Sequence, residues 1–439
     1  MPHLTTRLAT SGHTASPAAP ARPSRWAVWA SREYQGLWLA QAVTLLGDQL
    51  ARVALALLVY ARTSAATASA AAYAITLLPA LVGGPLLAGL ADRQPRRTVM
   101  IRCDLACAAL TAVMAAPRIP LPVLFGLVFM VSLLGAPFGA ARAALVKDVF
   151  PGDDRYAAAT AINGITLRAA QILGFTGGGL LVATVGARPA LAIDAVTFAV
   201  SAVTVRAAVT ARPAARADRE RGHHAMADLR DGTRVVFTDP WLRLLTIYAW
   251  LAACHVVPVG LAVPVAAQHA GGPVTAGILL AAPATGTAAG MLALTRWERA
   301  RQRGIRLIGP LAVLAAAPLI GCATNPPLPI IVILWAVAGA GTSYQLLTQV
   351  AFVSAVPDHR RGQAFGLVSA GMLAGQGAAM IVAEAVADTL SPSTVVATAG
   401  VLGTLAALTL LPWCRGLALS GSPTPTCGPS TPASSTGAP

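Results

Sequence analysis

Two side chains one helical turn apart, Asp48 and Arg52, lie in the middle of a long apolar run near the start of the chain. At i,i+4 spacing they share a helix face and can form an ion pair. A carboxylate placed there can exchange its guanidinium partner for a proton, because burial disfavours an unpaired charge and pairing restores it. That is the chemistry of proton coupling. Arg168, Asp194 and Glu384 are also ionisable groups inside apolar runs, where each is a functional candidate by default. Arg168 precedes Gln171 by three residues and has no carboxylate in its own run, so its expected partner is Asp48 or Asp194 across a helix interface.

A second set has the polar and aromatic character of a cavity lining: Gln41, Asn163, Gln171, Phe175, Tyr248, Trp250, His255, Tyr344, Gln345 and Gln376. Catalytic constellations are missing from the sequence. There is no GxxxxGK[ST] loop, no GxSxG elbow, no HExxH helix and no metal-spaced Cys/His set. The six cysteines are scattered, and Cys103 and Cys107 read as small hydrophobes on one helix face. The expectation is a non-enzyme without cofactor or metal.

Such residues need long apolar elements to hold them. Hydrophobic residues make up 56% of the 439-residue chain and charged residues only 11%, against about 25% charged in an average soluble domain. The excess apolar surface calls for a bilayer. The formal net charge of +15 does not indicate nucleic acid, because the arginines sit in loops between apolar spans and build no basic face. Twelve apolar stretches emerge at 36–61, 68–90, 98–116, 119–141, 157–184, 189–209, 242–266, 273–295, 305–323, 327–352, 363–387 and 392–413, each near the roughly 20 residues that cross a membrane. Basic residues crowd alternate loops, with only Arg62, Arg118 and Arg188 in the others. This bias places both termini in the cytoplasm of a multi-pass plasma-membrane protein.

The spans divide six and six about a hydrophilic interruption. The expected organisation is a disordered tail at 1–31, a six-helix half at 32–209, a linker with an interfacial helix at 210–241, a second half at 242–413 and a disordered tail at 414–439. The halves echo each other at an offset of about 206 residues. Asp92-Arg93 with Arg96-Arg97 matches Glu298-Arg299, Val149 to Asp153 matches Ala355 to His359, and Gln171 falls near Gln376. Duplicated halves place a substrate site where they meet near the bilayer midplane. Asp92, Arg93, Arg96, Arg97, Glu298 and Arg299 then read as a cytoplasmic gate that latches the halves, with Asp92 capping the helix that starts near Pro357-Asp358-His359-Arg360-Arg361.

At these residues the chain resembles the major facilitator superfamily over about residues 32–413. Leu90-Ala91-Asp92-Arg93 with Arg96-Arg97 resembles the loop motif GxLADRxGRR, with Ala88 and Pro95 at the glycine positions. The stretch from Arg32 to Gly47-Asp48, the segment Asp194-Ala195-Val196-Thr197-Phe198 and the run from Gly222 to Leu245 resemble the macrolide-efflux and siderophore-exporter branch of the drug:proton antiporters. Gly174 to Gly179 resembles the antiporter motif GPxxGG, with Phe175 in place of proline. The resemblance implies an all-α membrane protein of twelve helices in two pseudo-symmetric halves around a central cavity. It further implies a monomeric exporter that moves a drug or siderophore-like small molecule against protons by alternating access, with the lipid bilayer as its other partner. An importer of nutrients and a non-transporting sensor of the same fold are the alternatives.

Overall fold

The computed structural model describes residues 25–63, 75, 94–150, 153–212, 233–234, 236–296, 304–356 and 361–419. Those residues are organised as helices. The first half comprises α1 (Arg32–Thr63), α2 (Arg96–Met114), α3 (Leu121–Val149), α4 (Asp153–Val185) and α5 (Ala187–Ala208). The second half begins with α6 (Pro240–Trp250), α7 (Ala252–His255), α8 (Val257–Gly260), α9 (Ala262–Gln268) and α10 (Pro273–Arg296). It continues with α11 (Gly304–Ile320), α12 (Leu328–Gly341), α13 (Tyr344–Ala355), α14 (Arg361–Ala387) and α15 (Pro392–Leu419). Ten stretches among the described residues are long and apolar enough to cross a membrane. The expected second span, the central linker, both tails, and Asp92, Arg93, Glu298 and Arg299 lie outside or largely outside those residues.

Two expected spans take a different form. The third, α2, is not among the ten because Arg97, Arg102 and Asp104 interrupt its apolar character. The seventh is a chain of short helices, α6 to α9, rather than one rod. Pro258 cannot donate the i→i−4 hydrogen bond, and its ring crowds the preceding turn, so the helix breaks at Val256.

Glu33 near the start of α1 meets Arg212 after α5, and Arg96 at the start of α2 meets Asp148 at the end of α3, so the bundle has a basic end, where α1 starts and α5 stops, and an opposite end. At the basic end Glu33 accepts hydrogen bonds from Arg212 at 2.6 and 2.8 Å and from the Thr210 amide at 3.1 Å. That carboxylate raises the Arg212 guanidinium above its ordinary value, by hydrogen bonding first and charge second. Arg96 pairs with Asp148 and Arg97 donates to the Arg206 carbonyl. These ties join helices of the first half to one another and to the residues just after α5.

At the opposite end the halves share one core. Val53 and Phe175 of the first half pack with Leu261, Ala276, Leu280 and Trp335 of the second. Gly179 and Gly277 make this approach possible, as small residues do between membrane helices. A Cβ on Gly179 would lie 2.5 Å from the Pro273 carbonyl oxygen, and one on Gly277 would lie 2.6 Å from that of Phe175. Toward the basic end the cores are separate, one built from α1 to α5 and another from α6 to α15. The described halves therefore join at one end and part at the other.

Candidate functional site

A cavity of about 320 Å³ lies inside the first half, between α1, α2, α3 and α5. That volume is at the lower end of small-molecule sites. Helical periodicity presents Gln41, Thr44, Asp48 and Arg52 of α1 to it along one face. From α5 comes Asp194, 2% exposed, whose carboxylate accepts a 3.2 Å hydrogen bond from Thr197. Gly47 permits this meeting. Any side chain there would strike the Asp194 carboxylate and the Thr197 hydroxyl, so the missing Cβ lets α5 set its acid next to Asp48.

The cavity also holds groups that the sequence reading passed over. Asp104 of α2 lines it, is 2% exposed, and accepts a 2.6 Å hydrogen bond from Ser201 of α5. Arg142 of α3 also lines the cavity and contributes a second guanidinium, nearer the basic end than Arg52. Cys107 and Thr111 follow Asp104 on the same helix face. The Thr111 hydroxyl is buried and has no hydrogen-bond partner among the described residues. The spacing of Asp104, Cys107 and Thr111 was a legible signal: a polar stripe at i, i+3 and i+7 inside an otherwise apolar run.

Asp48, Arg52, Asp194 and Gln41 of the expected sets thus converge on this cavity. Arg168 does not. Its guanidinium donates to Gln171 at 2.9 Å in its own helix, because a three-residue spacing already brings the amide oxygen within reach, and neither residue lines the cavity. Glu384 is also elsewhere. It is buried in α14, close to Gly260 and Met380, and its Oε1 has no hydrogen-bond partner among the described residues.

Five of the ten expected binding residues, the aromatic ones and His255, pack against other helices in this structure. Tyr248 and Tyr344 are fully buried in the second-half core, where Tyr344 donates to the Tyr248 carbonyl at 3.0 Å. Phe175 belongs to the core shared by the halves. Trp250 donates to the Val368 carbonyl at 3.1 Å, and the His255 ring stands edge-on to Tyr344 with centroids 5.8 Å apart. Large aromatic surface gains more from core burial than from a wet cavity wall, which accounts for these placements. Asn163, Gln345 and Gln376 are half-buried and do not line this cavity. Arg96 and Arg97 bond within their own half, so in this conformation they do not bridge the halves.

Similar architectures occur among solved transporters. The chain superposes on the peptide transporter POT in complex with sulfate with a TM-score of 0.70 at 13% identity, covering 90% of this chain and 98% of that one. The nucleoside transporter NupG matches with a TM-score of 0.65 at 15% identity, covering 87% and 99%. A bacterial homologue of the iron transporter ferroportin, in an inward-facing state, matches with a TM-score of 0.64 at 14% identity, covering 87% and 98%. At these identities the likeness speaks for the fold alone. None of the curated proteins matches the chain by sequence. The sequence profile of the Major Facilitator Superfamily matches residues 37–324 and 259–434, two overlapping stretches that span nearly the whole chain. Nearly full-length agreement in sequence and in the arrangement of helices leads to one conclusion: this chain is a member of the Major Facilitator Superfamily.

Proposed function

We propose that the protein is a twelve-span secondary transporter of the plasma membrane that exports a small amphipathic molecule, of the drug or siderophore-like kind, in exchange for protons. The observation that carries this reading is the convergence of Asp48, Arg52 and Asp194 on one cavity in the first half. Exchange needs a site that holds a proton or cargo but not both at full strength, and acids facing guanidiniums in a confined space meet that need. The Gly174 to Gly179 stretch supports export over import. With basic loops on the cytoplasmic side, the parted end of the bundle faces the cytoplasm, where an exporter collects cargo. Asp92 and its basic neighbours then act as a latch in the opposite conformation.

Inside-out vesicles test the proposal. An imposed proton gradient, acidic in the lumen, should drive accumulation of at least one compound from a panel of antibiotics, dyes and siderophores. Accumulation only under the reverse gradient would identify an importer.

A further inference from the structure

The acids of the cavity are arranged along the helix axes, and this order suggests a direction. Asp48 is sixteen residues into α1, about 24 Å from the basic end at 1.5 Å per residue, and Asp194 is fourteen residues before the end of α5, about 21 Å away. Asp104 is only eight residues into α2, about 12 Å from that end. Its partner Ser201 lies seven residues beyond Asp194 on α5, again about 10 Å closer to the basic end. Two helices thus agree on two tiers, with Asp48 and Asp194 above and Asp104 with Ser201 below. Thr111, fifteen residues into α2, stands level with the upper tier, and its buried hydroxyl, unpartnered among the described residues, marks that level as a place for a polar occupant.

Resting on the proton-exchange reading, we propose that Asp104 is the lower station of a proton relay, receiving the proton from the Asp48 and Asp194 tier and passing it to water at the basic end. The step balances through water in the cavity: Asp48 gives its carboxyl proton to an adjoining water and becomes a carboxylate facing Arg52, while a water at the lower tier gives a proton to a carboxylate oxygen of Asp104, which becomes a neutral acid, and the water between is left unchanged. Ser201 assists by donating to Asp104 Oδ2 in the ionised form, and its oxygen can accept from the acid form, so both states keep a partner. Among the described residues, the charged and titratable groups that line the cavity with Asp104 are Asp48 and Arg52 on α1, Arg142 on α3, Asp194 on α5, and Cys103 and Cys107 on α2 itself. A purely structural Asp104 would keep one protonation state throughout and serve only to tie α2 to α5.

Infrared difference spectroscopy between acidic and neutral pH reads Asp104 without any cargo. The samples are full-length wild type, D104N, D104E and S201A in lipid bilayers. D104N should remove one protonated-carboxyl band, D104E should retain a shifted one, and S201A should move its frequency. Unchanged band intensity in D104N overturns the relay. Should D104N fail to insert, an unchanged S201A spectrum does the same. In transport, the cargo is the compound accumulated by wild-type vesicles. D104N should slow its gradient-driven accumulation by about 100-fold, the scale of a lost proton-transfer group, while cargo exchange without a gradient persists. Wild-type vesicles indifferent to the gradient would sink the exchange reading and the relay with it. D104N equal to a responsive wild type would sink the relay alone.

Discussion

At the residue scale the behaviour of the cavity turns on Asp48. Substituting asparagine keeps a hydrogen-bond acceptor but removes the proton site. D48N should bind cargo within about tenfold of wild type, a difference of roughly 1.4 kcal/mol, and should lose gradient-driven accumulation while retaining downhill exchange. If D48N vesicles still concentrate cargo under the gradient, Asp48 is only a structural partner of Arg52. Gly47 makes the complementary case. A methyl group there meets Asp194 and Thr197, so G47A should destabilise the protein by about 1–3 kcal/mol, the usual cost of overpacking. A denaturation midpoint indistinguishable from wild type would show that α1 and α5 have slack that the geometry does not indicate. Arg168 lies outside this chemistry, and R168Q should leave the pH dependence of transport unmoved.

At the element scale the contact between α4 and α10 governs the closed end. Backbone meets backbone there, with Gly179 and Gly277 at its centre. G277V should push the two helices apart and shift the population toward states open at that end. A shift from 1:99 to even occupancy needs about 2.7 kcal/mol of differential stability. Distances between spin labels placed on the two halves at that end report it, and a distribution identical to wild type counts against the contact as a gate. The Glu33–Arg212 pair is of another kind. It is partly solvated, so E33Q should cost under about 1 kcal/mol. The sign of its pH response follows from the raised Arg212 value: the contribution is complete below the ordinary arginine range and fades only as pH rises through it. No loss of stability through Arg212 deprotonation is therefore expected across the physiological range, and thermal melts between neutral and mildly alkaline pH check this.

At the scale of the whole molecule, the described residues of the two halves meet through one shared core and otherwise build cores of their own. Such an arrangement suits rocking about a midplane site, because closing one end requires only that the other be released. The orientation has a direct test. Reporter fusions after residue 419 and within the segment 213–232 should give cytoplasmic signals, as the loop arginines require. A signal from the non-cytoplasmic side at either position would invert the proposed direction of transport.

The sequence by itself determined the class of molecule and most of its elements. A bilayer demands unbroken apolar length and expels charge to the loops, and both are local properties that can be counted along the chain. Asp48 and Asp194 were legible for the same reason, as acids where acids are costly. The Arg168–Gln171 bond was local as well, written in a three-residue spacing. Tertiary structure alone decided which acids share a space. Asp104 and Ser201 are 97 positions apart, and their hydrogen bond exists because α2 and α5 pack side by side. It likewise decided that Tyr248 and Tyr344 fill a core instead of a cavity wall. Periodicity shows which face of a helix a residue occupies. Which neighbour that face meets depends on packing between helices distant in sequence, and the order of residues along the chain does not contain it in any local form.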